Sequence, residues 1–211
     1  MRKAYTKEVQ ASISPDKALT LLKEGNQRFV ENKKEDKDLL DQMKDTSRGQ
    51  YPFATVLSCI DSRVSSELIF DQGIGDIFSA RVAGNIVNED MLGSMEFACK
   101  LAGTKIIVVL GHTSCGAVKG ACDNAQMGNL TALLSKIKPA VVAVKEPSEA
   151  SQRNSGNLKF VDEVAKKNVQ LTLDNIRTRS QVLKEMEEHN EILLIGGMYD
   201  ISSGKVTFFE A

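Results

Sequence analysis

Phe53-Ala54-Thr55-Val56-Leu57-Ser58 runs without a break into Cys59-Ile60-Asp61-Ser62-Arg63. A short apolar run bounded by polar residues reads as a buried strand. A second run, Ile106-Ile107-Val108-Val109-Leu110-Gly111, has the same character and passes into His112-Thr113-Ser114-Cys115-Gly116. Each polar group therefore falls just past the carboxyl end of a strand, the place where open α/β sheets form their sites.

Together the two segments offer two thiols, one imidazole and a carboxylate-guanidinium pair. Thiolate sulfur and imidazole nitrogen are donors that zinc prefers, and closed structural zinc sites usually take four of them. Cys59, His112 and Cys115 make three, which leaves a fourth position for water, so the set reads as a catalytic zinc site. Taken singly the residues say less. A cysteine ending an apolar strand is usually a small core side chain, and His112 and Cys115 alone are a weaker signal than a C-x-x-C pair. A closed structural site would need a fourth ligand, for which Cys99 and Cys122, each in an apolar helical pattern, are the nearest spare candidates. A dithiol redox centre is disfavoured because the chain has no C-x-x-C.

The chain has 211 residues, 42% of them hydrophobic, which suits one domain with a substantial core and excludes the disordered and fibrous classes. Its 27 basic and 28 acidic residues leave a net charge of -1, so nothing draws it to nucleic acid or an anionic membrane. Four cysteines without a pairing pattern suggest metal or core thiols in a reducing compartment. No apolar run follows Arg2-Lys3, and no stretch is long enough to span a bilayer. The expectation is a cytoplasmic protein.

Ser14-Pro15-Asp16 has the form of a helix start, with Ser as cap, Pro in the first turn and an acid at the positive end of the dipole. A helix over 15–32 follows, with Ala18, Leu19, Leu22 and Phe29 on one face and Lys23, Glu24 and Glu31 toward water. This leading arm could lie on its own domain or on a neighbouring subunit. The mixed charge run 33–44 reads as a solvated helix or loop face. A short helix over 65–71, the turn Gly73-Ile74-Gly75-Asp76 and a strand over 77–83 come next. The turn lacks G-x-G-x-x-G spacing and follows a helix, so it is a tight connection and no phosphate loop. A helix from Asn88 or Glu89 to Leu101, closed by Gly103, precedes the strand over 105–111. Helices interrupted near 124–129, with Pro139 kinking or restarting the second, fill 116–144, and 146–157 reads as a surface loop. A long helix through Phe160, Val161, Val164, Val169, Leu173 and Ile176, a further one over 182–188, a buried strand over 191–195 and an edge strand over 205–209 complete the chain. The strand-helix alternation predicts a single-domain α/β fold: a mostly parallel central sheet flanked by helices, with an extended N-terminal helical arm (1–50) ahead of the core (51–211).

With those residues placed, the chain resembles the β-class carbonic anhydrases. The C-x-D-S-R box at Cys59 to Arg63 and the G-H-x-x-C-G box at Gly111 to Gly116 carry the resemblance. Gly25-Asn26-Gln27-Arg28-Phe29, Arg81-Val82-Ala83-Gly84-Asn85 and Gly197-Met198-Tyr199-Asp200 extend it over most of the chain. It implies zinc on Cys59, His112 and Cys115, and a zinc-held hydroxide that attacks carbon dioxide to give bicarbonate and a proton. Asp61 would accept a hydrogen bond from that hydroxide, Arg63 would hold Asp61 through a bidentate pair, and in a closed state Asp61 would itself ligate the metal.

The resemblance further implies a substrate pocket at a subunit boundary, and hence a homodimer or homotetramer. Gln50 matches the substrate-bonding glutamine of the permanently open subtype, Phe78 a pocket-wall aromatic, and Gly116 the glycine whose N–H faces substrate. Phe97 stands where that subtype often has tyrosine. Outside the resemblance, Phe78 and Phe97 read as core aromatics. The bicarbonate-regulated subtype needs tryptophan, arginine and tyrosine. Arg81 and Tyr199 match two, but Val56 holds the third position and the chain has no Trp, so an open site is expected. His189 reads as a solvated residue. Two other functions remain open: hydrolysis of a related small electrophile such as carbonyl sulfide or carbon disulfide, and a non-catalytic zinc-stabilised assembly protein with Asp61 as a permanent fourth ligand.

Overall fold

In the computed structural model, which describes residues 2–209, the described residues build one five-stranded sheet. Its strands are β1 (Ala54–Ser58), β2 (Ile77–Arg81), β3 (Ile106–His112), β4 (Leu193–Tyr199) and β5 (Val206–Phe208), in the order β2-β1-β3-β4-β5. The first four are parallel, and β5 runs antiparallel beside β4.

β1 and β3 are buried along their whole length, which is why they read as unbroken apolar runs. Their side chains still alternate. Ala54, Val56, Ile106, Val108 and Leu110 face one layer of the core, while Leu57, Ile107 and Val109 face the other.

The first layer is covered by the N-terminal arm, α1 (Lys7–Ser12) and α2 (Pro15–Val30), with α4 (Ser66–Ile69) after β1; α3 (Leu39–Asp45) falls between α2 and β1 in the chain. Ser14 caps α2 by accepting from the Lys17 N–H, as its sequence predicts. The helix lies on its own core, with Ala18 and Leu22 fully buried against Phe53, Ile69 and Phe70. Burying Leu22 contributes about 2 kcal/mol against about 1 kcal/mol for the cap, so packing docks the arm.

The run 33–44 departs from the solvated face its charges suggest. Lys37 has a side chain only 8% exposed and donates to the buried Asp71, while Gln42 is buried and bonds both the Arg2 carbonyl and the Ile74 N–H. Distant acids and backbone groups, invisible in a local charge pattern, draw these residues inward.

The second layer is covered by α5 (Glu89–Glu96), which ends in a wide turn over Phe97–Leu101. α6 (Gly116–Cys122), α7 (Gly128–Ser135) and α8 (Lys138–Ala143) follow, and then α9 (Leu158–Arg179) and α10 (Gln181–Glu188). β4 runs four residues past the strand expected at 191–195, through Gly196-Gly197, which reads locally as a breaker. Close approach explains the glycines. A Cβ on Gly196 would lie 2.7 Å from Val169 of α9, and one on Gly111 of β3 would lie 2.6 Å from the same side chain. Among the described residues, no helix is long and apolar enough to cross a membrane.

Candidate metal centre

The chain steps from β1 to β2 on one side and then crosses to β3 on the other, which opens a crevice at the carboxyl ends of β1 and β3. Pairing of Ser58 with Leu110 puts Cys59 beside Gly111, one residue short of His112, the last residue of β3. Cys115, three residues on, stands at the head of α6. The ligand atoms of Cys59, His112 and Cys115 all lie within 4.8 Å of one another, and all three residues are buried.

Three features of this trio fit a zinc ion. The sulfurs are 4.0 Å apart, close to the roughly 3.8 Å that two Zn–S bonds of about 2.3 Å subtend at a tetrahedral centre. The His112 Nδ1 donates to the Thr113 carbonyl at 2.9 Å, which leaves a lone pair on Nε2. That Nε2 is buried and has no hydrogen-bond partner, an uncompensated cost unless a cation takes it. The thiols point the same way. The Cys115 S–H lowers the pKa of Cys59, while Cys59 and burial raise that of Cys115, so ionising one thiol opposes ionising the other, an opposition that a cation between them would relieve. Cys99 and Cys122 stand apart from the trio, and burial raises both thiols to about 11. Neither completes a four-ligand site, and all four cysteines are free.

Asp61 and Arg63 lie at the edge of the trio. Arg63 donates Nε to Oδ1 at 2.9 Å, Nη2 to Oδ2 at 2.8 Å and its backbone N–H to Oδ1 at 3.0 Å. These bonds hold the Asp61 carboxyl well below the usual carboxylate range against the opposing pull of burial. Asp61 Oδ2 is 3.9 Å from His112 Nε2. From β2, Arg81 donates to the Cys59 carbonyl at 2.9 and 3.0 Å and to the Asp61 carbonyl at 2.7 Å, bracing the backbone between ligand and acid.

The remaining site candidates are spread out. Phe78 and Phe97 meet edge to face, with ring centroids 6.4 Å apart, and wall an open cavity of about 730 Å³ that also touches Arg81. Gln50 and Gly116 are exposed and line other parts of the surface, and within one chain the cavity does not reach the sulfurs. Phe97 is 53% exposed, so it is no core aromatic. Val56 and Tyr199 are buried, and His189 is exposed at the end of α10.

Sequence reading gave no role to Gly84, whose N–H donates to Cys59 Sγ at 3.4 Å, and missed Asp162, which accepts from the Ser114 N–H at 2.8 Å. It also missed Asn168, which donates to the Gly84 carbonyl at 2.8 Å. A signal existed for the last, since an amide in the apolar stripe of a long helix is out of place.

An open α/β sheet with two sulfurs and one imidazole gathered at adjacent parallel strand ends defines a metalloprotein of the mononuclear zinc class. A family model described as carbonic anhydrase matches residues 54–206. The chain is 36% identical over 195 residues to carbonic anhydrase 2 of Mycobacterium tuberculosis, covering 92% of each. It is 34% identical over 194 residues to the carbonic anhydrase of Mycolicibacterium smegmatis, again covering 92% of each. Among solved structures it is similar to the β-carbonic anhydrase CcaA, with a TM-score of 0.73 and 25% identity over 91% of this chain and 95% of that one. It shares the fold of a tetrameric β-carbonic anhydrase from Sordaria macrospora, at a TM-score of 0.69 and 22% identity over 80% and 86% of the two chains. The chain belongs to the β-carbonic anhydrase family.

Proposed function

We propose that this protein is a zinc lyase that interconverts carbon dioxide and bicarbonate, with Cys59, His112 and Cys115 holding the metal. The observation that carries the assignment is the buried, unpartnered Nε2 of His112 beside two sulfurs 4.0 Å apart. When bound there, zinc supplies Lewis acidity that lowers the pKa of a water molecule to about 7.

The chain's own residues prepare the attack. Asp61, kept ionised by Arg63, can only accept a hydrogen bond, so it orients the attacking water with a lone pair toward the substrate carbon. Arg63 is spent on both carboxylate oxygens, which would keep Asp61 from joining Cys59, His112 and Cys115 as a metal ligand. This arrangement favours an enzyme over a zinc-stabilised assembly protein, which would need Asp61 as a permanent ligand. Carbon dioxide gains the hydroxide of that water to become bicarbonate, and the water's other proton passes to solvent or buffer.

We assign substrate contact to Gln50, Phe78, Phe97 and Gly116. The apolar Phe78-Phe97 wall suits a nonpolar linear gas, and the exposure of Gln50 and Gly116 suits a pocket completed by a second subunit. The working form is then a homodimer or homotetramer. A cytoplasmic setting accords with the donor set, because two thiols this close bind zinc only while reduced.

Zinc-loaded protein assayed on carbon dioxide, carbonyl sulfide and carbon disulfide tests the reading. Carbon dioxide hydration that disappears in a folded Cys59→Ser variant supports it. Full zinc occupancy without turnover of carbon dioxide overturns it, and turnover of only the sulfur gases moves the assignment to a hydrolase.

A further inference from the structure

Helix α9 buries two polar side chains on the face it turns to the sheet. Asn168 and Thr172, each 3% exposed, sit among Val164, Ala165, Val169, Leu173 and Ile176. A buried amide left without a partner is costly, so such residues are normally found where they hold something. Asn168 Nδ2 donates to the Gly84 carbonyl at 2.8 Å, and Thr172 Oγ1 donates to the Asn85 carbonyl at 3.4 Å. Gly84 and Asn85 are consecutive left-handed residues, with φ of 69° and 43°. Glycine takes that region freely and asparagine visits it more readily than most residues, so the backbone alone does not select it and the two bonds from α9 fix the loop there. The loop thus enforced is the one that presents the Gly84 N–H to Cys59 Sγ at 3.4 Å.

Nearly two turns earlier on the same helix, Asp162 Oδ1 accepts from the Ser114 N–H at 2.8 Å. Ser114, at φ 54°, is the left-handed residue between His112 and Cys115. One rigid helix therefore grips the loop beside Cys59 and the loop that joins the other two donors. Its own seat is the contact of Val169 with Gly111, immediately before His112.

We infer that Asp162 and Asn168 are positioning residues of the metal centre: Asn168 aims the Gly84 N–H at the Cys59 sulfur, and Asp162 shapes the turn that brings Cys115 to His112. This rests on the assignment of Cys59, His112 and Cys115 as zinc ligands and extends it to a second layer. The N–H donated to sulfur draws charge from it, and the Ser114 turn sets the spacing of the other two donors, so both affinity and electronic character are affected.

The test measures zinc affinity by competition with a chromophoric chelator, and the sulfur-to-metal charge-transfer band of the cobalt(II)-loaded protein. Asp162→Ala and Asn168→Asp are expected to weaken zinc by about 10- to 100-fold, and Asn168→Asp to move the band. Asp162→Asn keeps an accepting oxygen and should stay within about threefold of the parent, which is less than about 0.7 kcal/mol. Ile176→Ala, a buried apolar truncation about two turns beyond Asn168 on the same helix, removes no hydrogen bond to either loop and should lose stability while keeping zinc affinity. If Asn168→Asp does not fold, Asn168→Ser, whose hydroxyl is too short to reach Gly84, is read by the same band. Parent-like affinity and an unmoved band in the Asp162→Ala and Asn168 variants overturn the inference, as does an equal loss of affinity in Ile176→Ala. Failure of the parent to take up zinc, or parent-like affinity in Cys59→Ser, instead sinks the ligand assignment and the inference with it.

Discussion

Arg63 holds Asp61 by both carboxylate oxygens, at 2.9 and 2.8 Å, and leaves Oδ2 3.9 Å from the ring nitrogen of His112. The pair spans two residues of one turn, yet its orientation relative to His112 depends on the neighbouring strand. Asp61→Asn should lower kcat/KM by about 100-fold or more with zinc content unchanged. Arg63→Lys should not restore an Arg63→Ala loss, because a point charge cannot reproduce the fork. Stopped-flow hydration alongside metal analysis checks both, and full activity in Asp61→Asn would refute the role given to that carboxylate.

Metal removal should cost stability as well as activity. Without a cation, two buried sulfurs face each other at 4.0 Å and the buried His112 Nε2 goes unpaired. A ligand held at about 100 times its Kd adds about 2.7 kcal/mol, worth roughly 5–10 °C in Tm for a domain of this size. Chelation is expected to lower Tm by about that much and zinc to restore it, as followed by scanning calorimetry; an unchanged Tm would contradict the site.

The Asp71 carboxylate ties the N-terminal arm to the core and should mark acid unfolding. It accepts from Arg28 Nε at 2.6 Å, from the Glu35 N–H at 3.0 Å and from Lys37 Nζ. Burial pushes its pKa up, but these bonds outweigh burial and hold it below the ordinary carboxylate value. A depressed folded-state pKa contributes stability that is complete above the unfolded value of about 4 and is lost as pH falls through the folded value. Asp71→Asn should therefore cost about 3 kcal/mol near neutrality, with the gap to the parent closing below about pH 4. Urea midpoints across that range read the difference, and a gap that does not close at low pH would exclude the carboxylate as its cause.

Arg153 should act as the latch of the loop that follows α8. It donates to the carbonyls of Val141, Val144, Lys145 and Pro147 at 2.7–3.2 Å and stacks over Phe160, with 4.7 Å to the ring centroid. Arg153→Ala is expected to cost about 2 kcal/mol and to speed proteolytic cutting within 146–157. Parent-like cutting would show the loop to be held by other contacts.

The strands and ligands were legible because their signals are local. A fully covered strand must be apolar throughout, so 53–58 and 106–111 announced β1 and β3, and the residues just beyond them announced the donors. Tight helix caps such as Ser14 were equally plain. The course of β4 was not, because Gly196-Gly197 is tolerated in a strand only where a helix and Phe209 press close. Lys37 and Gln42 were hidden for a related reason, since their partners lie 34 and 32 or 40 residues away.

The order of residues by itself settled which atoms can bind a metal and that they follow buried strands, because donor chemistry and apolar runs are properties of short segments. Folding alone decided that Cys59 comes to rest beside Gly111, that His112 keeps a bare nitrogen, and that a helix beginning more than forty residues beyond Cys115 braces both donor loops. Those outcomes depend on strand register and on helix-to-sheet distance, which arise from packing between parts of the chain that no local pattern connects.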